Sequence, residues 1–164
     1  MSATVEAAAR ALHFRAATSR AAWIHAPRVA CLDRIPIPEP GEREVCVRLE
    51  GSGVCGSSVP VWEGREWFSY PLEAGAPGHE GWGVIDAVGE GVHHLSVGDR
   101  VAALTYHAFA EHDLAAHVAL VRLPPELGCA DFPGEPLGCA MNIFARSDIR
   151  AEHTVAIIGI GFLG

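Results

Sequence analysis

From Ala21 onward the chain reads as short apolar runs broken at regular intervals by proline and glycine. Ala21–His25 and Arg28–Leu32 are two β-like runs joined near Pro27. Three alternating prolines in Ile35-Pro-Ile-Pro-Glu-Pro-Gly41 predict an extended edge or linker, because proline offers no N–H to a central ladder. In Glu44–Leu49, Val45, Val47 and Leu49 fall on one face, the period of a half-buried strand. Gly51–Gly56 predicts a tight loop. Val84–Val88 and Val101–Leu104 predict two further strands, with Val97-Gly-Asp-Arg100 as the turn between them. Six glycines between Gly78 and Gly98 place bends between closely spaced strands, the pattern of a small twisted barrel. The period then changes. Leu137, Met141, Phe144 and Ile149 recur at helical spacing behind Pro136, which predicts a helix from about Leu137 to Asp148. Thr154–Ile158 is a continuous apolar, mostly β-branched run, typical of a buried parallel strand, and it feeds Gly159-Ile-Gly161-Phe-Leu-Gly164. The fold class expected is mainly β with some α.

Composition narrows the function. The 164 residues suit roughly one domain. The net charge is -8, and all twelve basic residues are arginine. No basic stripe marks a nucleic-acid footprint, so no nucleic-acid partner is expected. Without lysine, this chain holds no Schiff-base lysine, P-loop lysine or lysine general base. The longest apolar run, the eleven residues Thr154–Gly164, is too short for a membrane helix, which needs about 20. Five cysteines, Cys31, Cys46, Cys55, Cys129 and Cys139, are widely spaced with no CxxC pair. That argues for a reducing compartment, read as the cytoplasm, with thiols or a metal ligand in place of a disulfide framework. Residues 1–20 carry three arginines and one acid without a continuous apolar core. Organellar transit peptides share that composition, but the reading adopted is an N-terminal arm. Trp62, Trp67, Phe68 and Tyr70 crowd nine positions and either line an apolar pocket or pin a loop lid.

The residues with metal chemistry are Cys55, His79, Glu80 and Glu135. A thiolate, an imidazole and carboxylates make a zinc site, and a catalytic one needs three protein ligands with one open position. Their separations exclude a zinc finger or ribbon, so they converge only through the fold. Ser57, two residues after Cys55, offers a hydroxyl that can take the proton of a zinc-bound alcohol, or else caps its own turn. His107, His112 and His117 recur every five residues, matching neither helix nor strand, and read as surface histidines, as do His93 and His94.

Gly78-His79-Glu80-Gly81-Trp82-Gly83, followed by Gly89 and Val92, resembles the signature of the zinc-dependent medium-chain alcohol and polyol dehydrogenases. Gly53-Val-Cys55-Gly-Ser57 is similar to their zinc-cysteine motif, Ile35–Gly41 with Glu44-Val45 to their lead-in, and Val97–Val101 to their GDRV turn. Gly159–Gly164 resembles the opening of their nucleotide-binding domain. The motifs stand in the family's order from about Ala21 to Gly164. The resemblance implies a GroES-like twisted β-barrel catalytic domain over 21–150 after an arm over 1–20, with 151–164 as the first strand of a Rossmann domain.

It also implies Cys55 and His79 as zinc ligands. For the third there are two candidates. Glu135-Pro136-Leu137 is similar to the Glu-Pro-Leu of sorbitol-type dehydrogenases, while Cys139 mimics the cysteine of the classical alcohol branch. Placement at the helix start favours Glu135 and leaves Cys139 as a core thiol one turn away. Glu80 binds zinc directly or alternates with water. The stretch Ala102–Val121 has no cysteine, so one catalytic zinc and no structural zinc are expected.

Two positions depart from the family. Ser58 stands where an Asp usually orients the ligand histidine, and Pro60 stands where the alcohol branch has its relay histidine. Gly159, Gly161 and Gly164 form a dinucleotide fingerprint for NAD or NADP, but the helix and acidic ribose reader that its chemistry needs are not within these 164 residues. The implied function is the catalytic-domain portion of an oxidoreductase passing hydride between a small alcohol or polyol and NAD(P), homo-oligomeric at full length, with the 164-residue chain inactive alone. The alternative is a non-catalytic, truncated zinc-binding fragment.

Overall fold

The computed structural model describes residues 18–161. The arm up to residue 17, and Gly164 of the glycine fingerprint, lie outside the described residues.

The first two runs form a hairpin, β1 (Thr18–Ala26) paired antiparallel with β2 (Val29–Pro36). β1 starts at Thr18, inside the stretch expected to be arm. Arg28 takes a positive φ of 61° at the turn. The other strands are β3 (Glu44–Gly53), β4 (Glu80–Val88), β5 (Arg100–Leu104), β6 (His112–Ala116) and β7 (Leu120–Arg122). They form one antiparallel sheet in the order β6-β3-β4-β5-β7. Segment 109–111 joins hairpin to sheet. Ala22 donates to the Phe109 carbonyl and Glu111 to the Arg20 carbonyl, while Leu49 of β3 donates to the Glu111 carbonyl.

The alternation in β3 works as the pattern requires. Val45 and Val47 enter the core with Ile85, Val92, Leu95, Val101, Ala103, Ala115 and Leu120, and Leu49 packs against its margin. Cys46 is also buried, though it points to the opposite face of the strand. Gly83 lets β3 and β4 approach, since a Cβ there would run into the Arg48 carbonyl and the Leu49 backbone.

Among the described residues the sheet strands are accompanied by two α-helices. α1 (Ser58–Glu63) follows β3 directly, and β3 itself continues to Gly53, so the expected loop shrinks to Val54–Ser57. α2 (Gly134–Arg146) begins three residues before the predicted helix. It packs on β4 and β5, and Gly134 sits so close to β5 that a Cβ would lie 2.6 Å from that of Ala102.

The strand expected at Thr154–Ile158 is not formed, and Ile158 is 98% exposed. A buried parallel strand needs parallel neighbours to take its N–H and C=O groups. Every paired strand among the described residues is antiparallel and belongs to the two sheets above. No described helix is long and apolar enough to cross a membrane.

Candidate metal centre

The pairing of β3 with β4 builds the centre. Gly53, the last residue of β3, lies opposite Glu80, the first of β4. Cys55 is two residues beyond the end of one strand, and His79 is immediately before the start of the other. A hairpin-like register therefore brings together residues far apart in sequence. The thiol of Cys55, a ring nitrogen of His79 and a carboxylate oxygen of Glu80 all lie within 4.8 Å of one another. Glu80 is buried, and its carboxylate occupies the space over Gly53, where any Cβ would collide with it.

Each donor is prepared for a cation. The hydroxyl and the backbone N–H of Ser57 hydrogen-bond the Cys55 sulfur and hold its thiol below the usual cysteine range. Partial burial and Glu80 oppose this without reversing it. His79 Nδ1 lies 2.9 Å from the Pro77 carbonyl. A carbonyl only accepts, so Nδ1 carries the proton and Nε2 keeps the lone pair a metal needs. Burial lowers the His79 pKa, but the Pro77 carbonyl, the Cys55 thiolate and the Glu135 charge outweigh it, and the net shift is upward. A soft thiolate, an oriented imidazole and a buried carboxylate at this spacing fit zinc.

Glu135 stands in the first turn of α2 and borders the same cavity, about 680 Å³, as Cys55, Glu80, Cys139, Gly159 and Gly161. It lies outside the tight trio and accepts the Cys139 thiol at 2.9 Å. That bond, first of all, raises the Cys139 pKa. The one-turn offset therefore does not carry Cys139 away into the core, because positions i and i+4 share a helix face. Both candidates for the third ligand face the cavity.

Ser57 is exposed and makes no side-chain cap to α1, so its turn-capping role is not seen. It lines a second cavity of about 410 Å³ with His79 and His107. Ser58 is buried, with no partner for its hydroxyl among the described residues. The aromatics at Trp62–Tyr70 do not border the metal cavity. Trp67 is exposed, and the Tyr70 hydroxyl donates to the Val61 carbonyl, tying its loop to α1.

The evenly spaced histidines are not simple surface groups. His107 is held by Glu73 and Asp113. His112 Nε2 lies 3.7 Å from Asp86, with its side chain largely buried. His117 packs edge-on to His94 at 5.2 Å between ring centroids. Spacing alone missed this because each partner comes from a different strand or loop. The Pro77 carbonyl was also missed, although a carbonyl two residues before a ligand histidine is a readable signal.

Residues 41–142 match the family model described as the alcohol dehydrogenase GroES-like domain, and the chain belongs to that family. It is 29% identical over 172 aligned positions to human sorbitol dehydrogenase, the alignment covering 86% of this chain and 48% of that protein. The mouse sorbitol dehydrogenase is 41% identical over the same coverage. A short chain alcohol dehydrogenase from E. coli, solved with the cofactor NADH, is 26% identical with a TM-score of 0.68, over 79% of this chain and 46% of that one. The chain thus spans about half the length of the curated relatives it matches.

Proposed function

We propose that this chain is the catalytic-domain portion of a zinc-dependent oxidoreductase that moves hydride between a small alcohol or polyol and NAD or NADP. The observation that carries the reading is the Cys55, His79 and Glu80 trio, of which Cys55 and Glu80 border one cavity with Glu135, Gly159 and Gly161. Cys55, His79 and Glu135 would hold one zinc, with Glu80 beside it as direct or alternate ligand. Bound there, zinc supplies Lewis-acid polarisation of the substrate oxygen. Ser57 Oγ would take the hydroxyl proton while handing its own proton to water, which its exposure allows, so that it relays the proton and does not store it. Gly159, with a φ of 81° open to glycine, and Gly161 let the backbone approach a pyrophosphate, and Gly164 completes the motif. The sorbitol dehydrogenase relatives favour a polyol, and the whole protein is read as a cytoplasmic homo-oligomer.

The test is oxidation of alcohols and polyols by the whole protein with NAD and NADP, alongside its zinc content. One zinc per chain with cofactor reduction supports the reading. Full activity without zinc overturns it, and bound zinc with no oxidation of any alcohol leaves a zinc-binding module instead.

Two substitutions address the ligand set. Glu135→Gln should weaken zinc affinity at least about tenfold, while Cys139→Ser leaves it within about threefold. The reverse order, read by competition with a chelator, transfers the third ligand to Cys139. Ser58→Asp introduces a carboxylate where the family usually has one and should slow zinc loss about tenfold. Chelator kinetics decide this, and an unchanged rate means the Pro77 carbonyl already orients His79 fully.

A further inference from the structure

The loop that delivers His79 is fastened by a histidine outside the metal centre. His107 Nε2 lies 2.8 Å from Glu73 Oε2, and its Nδ1 lies 3.4 Å from Asp113 Oδ1. The His107 backbone N–H donates to Asp113 Oδ2 at 2.7 Å. Asp113 is only 4% exposed and is itself fixed in β6, where its Oδ1 accepts the Leu114 N–H at 2.8 Å. Backbone bonds run alongside. Ala108 donates to the Gly78 carbonyl at 3.0 Å, and Phe109 to the Gly75 carbonyl at 3.1 Å. Gly75 has a φ of +87°, and a Cβ there would run into the His107 carbonyl, so only glycine allows this approach. The segment 73–78 therefore lies along 107–109 and ends at His79.

We propose that His107 is a positioning residue: by bridging buried Asp113 to Glu73 it clamps the 73–78 segment onto the β5–β6 connection and so fixes His79. The proposal rests on the reading of His79 as a zinc ligand.

The imidazolium suits the clamp, because both ring nitrogens face carboxylates and only the charged ring has a proton for each. Asp113 foremost, then Glu73, raise the His107 pKa against the opposing effect of burial. The titratable groups around it are Asp113 from β6, Glu73 from the loop before β4 and its neighbour Tyr106. Across the adjoining cavities lie His79 on one side and Glu44 and His112 on the other. With a raised folded pKa, the clamp is complete below the ordinary imidazole value of about 6.5 and is lost as pH rises through the folded value. Protonation of the metal ligands acts in the opposite direction, releasing zinc as pH falls. Zinc release should therefore show two limbs, and the alkaline limb belongs to His107.

Release of zinc to excess chelator is followed from about pH 5 to about pH 9 for the wild-type chain, His107→Gln and Glu73→Gln. Amide-exchange protection at Ala108 and Phe109 is measured on the metal-free proteins. His107→Gln should release zinc about tenfold faster at the acid end of the clamp's range and lose the alkaline limb. Its protection at Ala108 and Phe109 should fall. Glu73→Gln, altering a side chain 82% exposed, should move both readouts in the same direction by less. Unchanged release and unchanged protection in His107→Gln overturn the clamp. If that variant does not fold, a Glu73→Gln chain identical to wild type in both readouts overturns it. Failure of the wild type to bind zinc overturns the ligand reading instead, and the metal-free protection data still decide the clamp.

Discussion

Cys55→Ala should take the zinc content of the chain from one ion to none. Cys55 supplies the sulfur of the trio, and Ser57 already biases it toward the thiolate that binds metal. Removing it leaves nitrogen and oxygen donors, two of them carboxylates that also bind water well. The expected loss of affinity is at least about 100-fold, enough to strip the ion in dialysis against a weak chelator. Cys31→Ala, which alters an exposed thiol on β2, is the control and should retain its zinc. Metal analysis of the dialysed proteins reads the difference. Equal zinc in both variants would mean that the metal is held without Cys55.

The second large effect concerns the fold. Ile85 is 1% exposed at the middle of β4 and packs among Val45, Val47 and Val101. Ile85→Ala should cost about 2–5 kcal/mol, the lost burial plus the cavity left behind. A domain of this kind has only about 5–15 kcal/mol in hand, so the denaturant midpoint should fall by a large fraction. Val118→Ala, at a valine 80% exposed, should shift it by no more than about 0.5 kcal/mol. Equal midpoints for the two variants would show that the sheet's inner face is not the core.

These two residues mark what could be read before the structure. Period-two alternation of Val45, Val47 and Leu49 placed β3, and the glycines around Val84–Val88 marked the second half of β4, because local pattern carries that information. Cys55 and His79 were legible only through the order of motifs, since no local rule predicts that Gly53 will pair with Glu80. Edge strands β6 and β7 were missed because their sequences, HDLAA and LVR, are short and weakly apolar. Thr154–Ile158 shows the converse. Its composition is that of a buried strand, but a strand also needs neighbours to accept its hydrogen bonds. Cys139 was misjudged by treating a helical turn as a separation, although one turn returns a side chain to the same face. The His107 clamp left no trace in spacing, because Glu73 and Asp113 approach it from opposite directions in the chain.

The central claim is a zinc site with a single sulfur. X-ray absorption at the zinc edge of the loaded protein measures its donors directly. One sulfur near 2.3 Å with nitrogen and oxygen donors near 2.0–2.2 Å is the expected result, corresponding to Cys55, His79 and carboxylate. Two sulfurs would place Cys139 in the sphere and contradict the assignment of Glu135. A shell without sulfur would contradict the site itself.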